Sequence, residues 1–268
     1  MAKLKSLENK VVWITGASSG LGKALARECA LQGAQVVLTS RRYDELESVR
    51  VGLLKPEQHL SIAADITDEA QVRHAHERVL ATKGRIDWLI NNAGLSQRAL
   101  IEETSMHTER AIMEVDYFSQ VFFTKTVLPT LLKQKSGRVV FVSSVAGLLG
   151  TQYRASYSAA KAAIHMWANS LRAEVAKEGV EVSVVFPGFV KTNVSFNALN
   201  GEGKPQGHQD EAIENGLEAD VFAERVVSSL MAGDEYIVVG GKKEQLGVLV
   251  SRLSPSLLYK MIRKTRVK

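Results

Sequence analysis

The chain has 268 residues, 45% of them hydrophobic and 24% charged, which is enough apolar material for a substantial core in one or two domains. Its net charge of +5 is no signature of a nucleic-acid-binding domain: the last eighteen residues alone carry Arg252, Lys260, Arg263, Lys264, Arg266 and Lys268 and no acid, so the rest is close to neutral. A lone Cys29 excludes a disulfide framework or a C-x-x-C site, and without a signal-like apolar run or a span-length segment the expected location is the cytoplasm.

The first predicted strand, "KVVWIT" (10–15), runs directly into "TGASSGLG" (Thr15 to Gly22). Two chemistries compete for those letters. Gly16 to Gly20 fits G-x-S-x-G, which would make Ser18 the nucleophile of a hydrolase elbow. Gly16, Gly20 and Gly22 also fit a glycine loop that lets a helix N-terminus approach a phosphate. An elbow follows a central strand and needs an acid and a histidine later in the chain, and none of the six histidines sits convincingly beside an acid after a strand. Placement after the first strand favours the phosphate cradle.

The helix "LGKALARECALQG" follows, with Gly33 suited to a left-handed cap. Strand two, "AQVVLTS" (34–40), ends in Ser40, Arg41 and Arg42. An acid there would hold ribose hydroxyls and repel a 2′-phosphate, whereas two guanidinium forks suit that phosphate, so NADP(H) is the expected cofactor. Strand three is "HLSIAA" (59–64), and the helix after it ends at Gly84. His74 and His76, two apart on that helix, point to different faces, which gives no metal pair and suggests two solvated histidines. Strand four, "RIDWLI" (85–90), precedes "NNAG". The apolar run "VDYFSQVFFTKTVLPTLLK" is expected to pack on the sheet or in a subunit interface.

Strand five, "GRVVFVS" (137–143), delivers Ser144 at its carboxyl end, the edge where open α/β sheets bind ligands. Tyr157 and Lys161 then form Y-x-x-x-K on a helical pattern, one turn apart on one face. A phenol near pKa 10 is a poor base at neutral pH, and an adjacent ammonium stabilises the phenolate. Strand six, "VEVSVVF" (180–186), precedes the polar, glycine-rich stretch 193–216, read as a mobile loop, and strand seven is "EYIVVG" (235–240). The alternation predicts right-handed βαβ crossovers and a doubly wound, seven-stranded parallel sheet. It forms one domain over 1–250, followed by a basic amphipathic tail over 251–268. That tail reads as a cover for the cleft or a subunit contact, with an anionic membrane surface as the alternative.

Together, T-G-x-x-x-G-x-G, "NNAG", Ser144, Y-x-x-x-K and "PGFVKT" (Pro187 to Thr192) make the sequence resemble the short-chain dehydrogenase/reductase family over nearly its whole length. The resemblance implies that Tyr157 is the general acid/base, that Lys161 lowers its pKa and binds the nicotinamide ribose, and that Ser144 orients the substrate carbonyl. It also implies cofactor contacts from Gly16, Ser18, Ser19, Gly20, Leu21 and Gly22 in the loop and from Ser40, Arg41 and Arg42. Asp65 and Ile66, then Asn92, Ala93 and Gly94, would surround the adenosine, and Pro187, Gly188, Val190 and Thr192 the nicotinamide. Homodimers or homotetramers are the family expectation. One position departs: the family's asparagine is replaced by Asp116, which keeps the backbone carbonyl and the shape but brings a carboxylate near Lys161. Retained activity is the expectation.

The resulting reading is an NADP(H)-dependent oxidoreductase interconverting a hydrophobic alcohol and its ketone or aldehyde, with no metal. A nucleotide-binding sensor without turnover is the alternative that Asp116 raises. The expected substrate lining is Ser96, Gln97, Leu148, Leu149, Gln152 and Phe189 with the 193–216 loop, a mainly apolar set.

Overall fold

Seven β-branched runs become seven strands because each can be buried on both faces. The computed structural model describes residues 6–263; Met1 to Lys5 and the tail residues Lys264 to Lys268 lie outside the described residues. The strands are Val11–Thr15 (β1), Gln35–Ser40 (β2), Leu60–Ala63 (β3), Trp88–Asn91 (β4), Gly137–Val142 (β5), Val180–Pro187 (β6) and Tyr236–Val239 (β7). The first five helices are Gly20–Leu31 (α1), Tyr43–Val51 (α2), Glu69–Lys83 (α3), Met106–Met113 (α4) and Ser119–Gln134 (α5). Five more follow: Ala155–Glu174 (α6), Glu211–Glu214 (α7), Ala219–Ala232 (α8), Lys242–Leu253 (α9) and Pro255–Ile262 (α10).

All strand pairs are parallel, in the order β3-β2-β1-β4-β5-β6-β7, so the fold is the expected doubly wound sheet in one domain. Alternate residues serve opposite faces, as the period of two requires. Val12 and Ile14 join Leu25 of α1 and Phe222 of α8 in one core. Val11 and Trp13 join Phe123 of α5 and Ile164 of α6 in the other. Trp13 is fully buried and its indole donates to Thr39 Oγ1 at 2.8 Å, which removes the cost of a buried N–H. The strand order reverses between β1 and β4, opening a crevice at the carboxyl edge of the sheet.

Several local expectations change. The 193–216 stretch is tied down rather than free: Arg98 N donates to Leu199 O, Leu199 N to Ser96 O, and Ser105 N to Gly201 O, and α7 lies within it. Backbone pairing with the segment after β4 does this, and it is not legible in a polar composition. α9 crosses residue 250, so the tail turns at Ser254–Pro255, where proline can start a helix but not continue one. Val248 and Leu258 enter the core, and Arg252 lies 4.4 Å from the Tyr236 ring, so the inner tail packs on the body. His74 is exposed, but His76 is half-buried, stacked parallel to Trp13, with Nε2 2.9 Å from Thr130 Oγ1. Burial holds its pKa below the usual histidine range. The run after "NNAG" buries Phe123, Val127 and Leu131 against the sheet, and its first turn, Glu114–Phe118, is a wide π turn between α4 and α5. No helix among the described residues is long and apolar enough to cross a membrane.

Candidate active site

A single cleft of about 2040 Å³ runs along the carboxyl edge of the sheet. That exceeds the roughly 300–1,000 Å³ of an ordinary small-molecule site and leaves room for a dinucleotide beside a second ligand.

One half is built around the glycine loop. α1 starts at Gly20 with Ser19 as N-cap, and no side chain caps it, so the first-turn N–H groups stay open to an anion. Gly22 does not line the cleft. It lies behind the loop, where a Cβ would stand 2.2 Å from Gly16 O, so only glycine lets α1 approach the turn. Thr15 Oγ1 accepts from Asn92 N (3.0 Å) and Ala93 N (3.1 Å), fastening β1 to the end of β4 at the crevice. Arg42 donates from Nη2 to Ser18 Oγ (2.9 Å) and Ser19 Oγ (3.3 Å), while its Nη1 meets Glu45. Among the described residues the side-chain partner of Ser18 Oγ is this guanidinium and not a base, the opposite of a hydrolase nucleophile's setting. Arg41 is exposed and forms no hydrogen bond or ion pair among the described residues.

The other half gathers the reactive groups. β5 ends at the cleft, and Ser144 Oγ accepts from Ala146 N at 3.1 Å, which fixes the hydroxyl beside Pro187 O (3.5 Å) at the end of β6. On α6, Tyr157 and Lys161 face the same space, with Lys161 Nζ 5.8 Å from the Tyr157 ring centroid. Lys161 is buried and donates to Val142 O at 3.1 Å. The arrangement can hold a carbonyl oxygen at Ser144 and exchange a proton at the Tyr157 phenol.

Asp116 sits behind Lys161, off the cleft wall. The π turn aims it inward: its Oδ1 accepts from Leu95 N (2.8 Å) and lies 3.6 Å from Lys161 Nζ, while Oδ2 is buried without a hydrogen-bond partner among the described residues. Burial pushes its carboxyl up from 3.8 to about 6, against the Lys161 cation and the Leu95 N–H, which both favour the anion. Gly94 makes the pair possible, since a Cβ there would stand 2.5 Å from Asp116 Oδ1.

Of the remaining expected residues, Gly16, Leu21, Ser40, Asp65, Ile66, Asn92, Ala93, Gly94, Pro187, Gly188, Val190 and Thr192 line the cleft, as do Ser96, Leu149 and Phe189. Thr192 lies against Gly20, bringing "PGFVKT" to the glycine loop. Two residues expected in the substrate lining lie off the cleft wall. Gln97 is fully buried off the cleft, its amide donating to Thr104 Oγ1 (2.8 Å) and accepting from Ser156 N (2.9 Å), so it braces α6 instead. Gln152 is exposed and is not among the residues that line the cleft. Leu148 lines a smaller pocket under the tail helices.

Sequence reading missed Arg98, Arg154 and Glu244, all on the wall. Glu244 Oε1 accepts from Phe189 N at 3.2 Å, so the first turn of α9 braces the "PGFVKT" segment. Arg154 could have been found: it precedes Tyr157 by three residues, the spacing of one helix face. Glu244 carries no local signal.

Comparison with known proteins agrees with this geometry. The profile of the family described as "short chain dehydrogenase" matches residues 10–202. The Drosophila melanogaster protein named Dehydrogenase/reductase SDR family protein 7-like is 38% identical over 267 residues, covering 98% of this chain and 82% of that protein. A short chain dehydrogenase/reductase from Burkholderia phymatum in complex with NAD has the same fold, with TM-score 0.81 and 23% identity over 97% of this chain and 98% of that one. A metagenomic short-chain oxidoreductase in complex with NADP gives TM-score 0.73 and 26% identity over 88% and 98% of the respective chains.

Proposed function

The chain belongs to the short-chain dehydrogenase/reductase family, a family of nicotinamide-dependent oxidoreductases, and from that premise we propose that it uses NADP(H) to interconvert an alcohol and its ketone or aldehyde. The observation that carries the reading is the meeting of Ser144, Tyr157 and Lys161 at one end of a cleft whose other end is bounded by Arg41 and Arg42.

The residues present fit a dinucleotide. The open N-terminus of α1 suits the pyrophosphate, and Asp65, Ile66, Asn92 and Ala93 flank the place for the adenosine. Arg41, free of partners among the described residues, suits a 2′-phosphate, and Arg42 stands beside it. Pro187, Gly188, Val190 and Thr192 border the nicotinamide end. The bound nicotinamide supplies the hydride. Ser144 Oγ donates to the substrate oxygen and polarises the carbonyl. Tyr157 gives that oxygen its proton in reduction and takes it back in oxidation. Lys161, held by Val142 O, places its amine beside the phenol ring.

The test is a panel of ketones and aldehydes with the purified chain and NADPH, followed by fluorescence loss of the reduced cofactor. Tyr157→Phe is expected to lower kcat by about 10²- to 10⁴-fold, the range of general acid–base catalysis, with NADPH affinity unchanged by calorimetry. NADPH binding with no carbonyl turned over would overturn the reading in favour of a nucleotide sensor.

A further inference from the structure

At the substrate end of the cleft two buried arginines share one carboxylate. Arg98 and Arg154 both line the cleft, with only 3% and 9% of their side chains exposed, and the carboxylate is that of Asp210. The shares are unequal. Arg98 donates from Nε and Nη2 to Asp210 Oδ2, each at 2.6 Å, and from Nη1 to Ser96 Oγ at 2.8 Å. Arg154 reaches the same oxygen only at 3.5 Å from Nη2, rests 5.4 Å from the Phe189 ring, and has a buried Nε with no hydrogen-bond partner.

Asp210 cannot serve both. Its Oδ1 accepts from Gln206 Nε2 at 3.1 Å. Burial alone would raise its pKa, but the Arg98 hydrogen bonds outweigh burial and hold it below the usual carboxylate range, so it stays an anion. One anion between two guanidinium groups leaves one positive charge in a buried place. Burial and the Arg98 cation pull the Arg154 pKa down to about 10, which leaves it protonated at neutral pH in surroundings that disfavour its charge. Such a charge is costly until an anion completes it. Arg154 is the N-cap residue of α6 and Tyr157 lies one turn further on, so the two side chains share the face of the helix that meets the cleft.

We infer that the substrate of this cleft is itself an anion: a carbonyl compound whose carboxylate or phosphate docks on Arg154 while its carbonyl meets Tyr157 and Ser144. The inference rests on the oxidoreductase reading for the carbonyl and on Arg154 for the anion. A guanidinium offers several donors to such a group in a fixed plane, and a neutral analogue leaves the charge uncompensated. The apolar wall of Leu149 and Phe189 then borders the remainder of the molecule.

Matched pairs isolate the charge: levulinate beside its methyl ester, and hydroxyacetone phosphate beside hydroxyacetone, each assayed with NADPH and the full chain. The anionic member of at least one pair is expected to show kcat/KM roughly tenfold or more above its neutral partner, the size of one charged hydrogen bond, and the pair that responds tells carboxylate from phosphate. Arg154→Gln is expected to lower kcat/KM for the anion, mainly through KM, roughly tenfold more than for its neutral partner, and Arg154→Lys to recover part of that difference. Equal rates for both members of both pairs in the unmodified enzyme, or an equal loss on acid and ester in Arg154→Gln, would overturn the inference. Calorimetry of the two anions with the cofactor-loaded protein separates the claims. Heat that disappears in Arg154→Gln without turnover of any carbonyl keeps the anion site and ends the oxidoreductase reading. Turnover of neutral ketones with no anion heat does the reverse.

Discussion

Two buried aspartates at opposite ends of the sheet show how differently the fold treats charge. At the amino edge, Asp87 is fully occupied: Oδ1 meets Arg85 Nη2 (2.6 Å) and Lys10 Nζ (3.2 Å), and Oδ2 accepts from Val11 N and Arg85 Nε, each at 2.9 Å. At the carboxyl edge, Asp116 has one oxygen bonded and the other bare, beside a lysine at 3.6 Å. The first arrangement closes every lone pair and holds β1 against the chain entering β4. The second leaves a carboxyl poised between its two protonation states. Paired charge holds the sheet; half-paired charge marks where the chemistry is placed.

The comparison breaks most sharply at Asp116. A folded-state value raised from 3.8 to about 6 means that the folded protein binds this proton more tightly than the unfolded chain does. Its contribution to stability is therefore complete below 3.8 and is withdrawn as pH rises through about 6. Above that, the buried carboxylate costs the fold roughly 3 kcal/mol, from the size of that displacement. Asp116→Asn should be the more stable protein by about that amount near pH 8, with the advantage vanishing below about pH 4, as read by urea denaturation at both pH values. The same variant should lose any inflection near 6 in the pH profile of kcat/KM; an unchanged profile would show that Lys161 and Tyr157 do not sense the carboxyl.

Asp87→Ala carries the opposite sign. It strands the buried Val11 N–H and two cations, and a loss of about 2 kcal/mol is expected at either pH by the same denaturation. Equal signs for the two variants would end the contrast. The smallest effect is expected at Arg41, which is exposed and makes no hydrogen bond or ion pair among the described residues. Arg41→Ser should leave stability untouched and weaken NADPH binding roughly tenfold while sparing NADH, measured by calorimetry with each cofactor. Equal affinities before and after the change would remove Arg41 from cofactor choice.

The seven strands were legible because short β-branched runs between helical stretches are local signals, and they fall within a few residues of the observed elements. Ser144, Tyr157 and Lys161 were legible for a similar reason: a strand end and a one-turn helical spacing already fix their neighbourhood. Gln97 and Gln152 were misplaced because loop side chains choose partners by shape, and a polar residue near a cleft can as easily brace its wall. Which residues of the C-terminal stretch enter the core was not legible, because the buried Val248 and Leu258 look no different in sequence from the exposed Leu249 and Leu257.

By itself, then, the sequence determined the sheet, the glycine loop and the tyrosine–lysine pair, since each depends on contacts within a turn or between neighbouring elements. Only the tertiary structure decided how much charge the site contains. Arg98 and Asp210 meet across 112 positions and Arg154 joins them across 56, while Asp116 reaches Lys161 only through a π turn that no periodicity announces. Electrostatic balance is a property of distances in space, and a chain carries that information nowhere until it has folded.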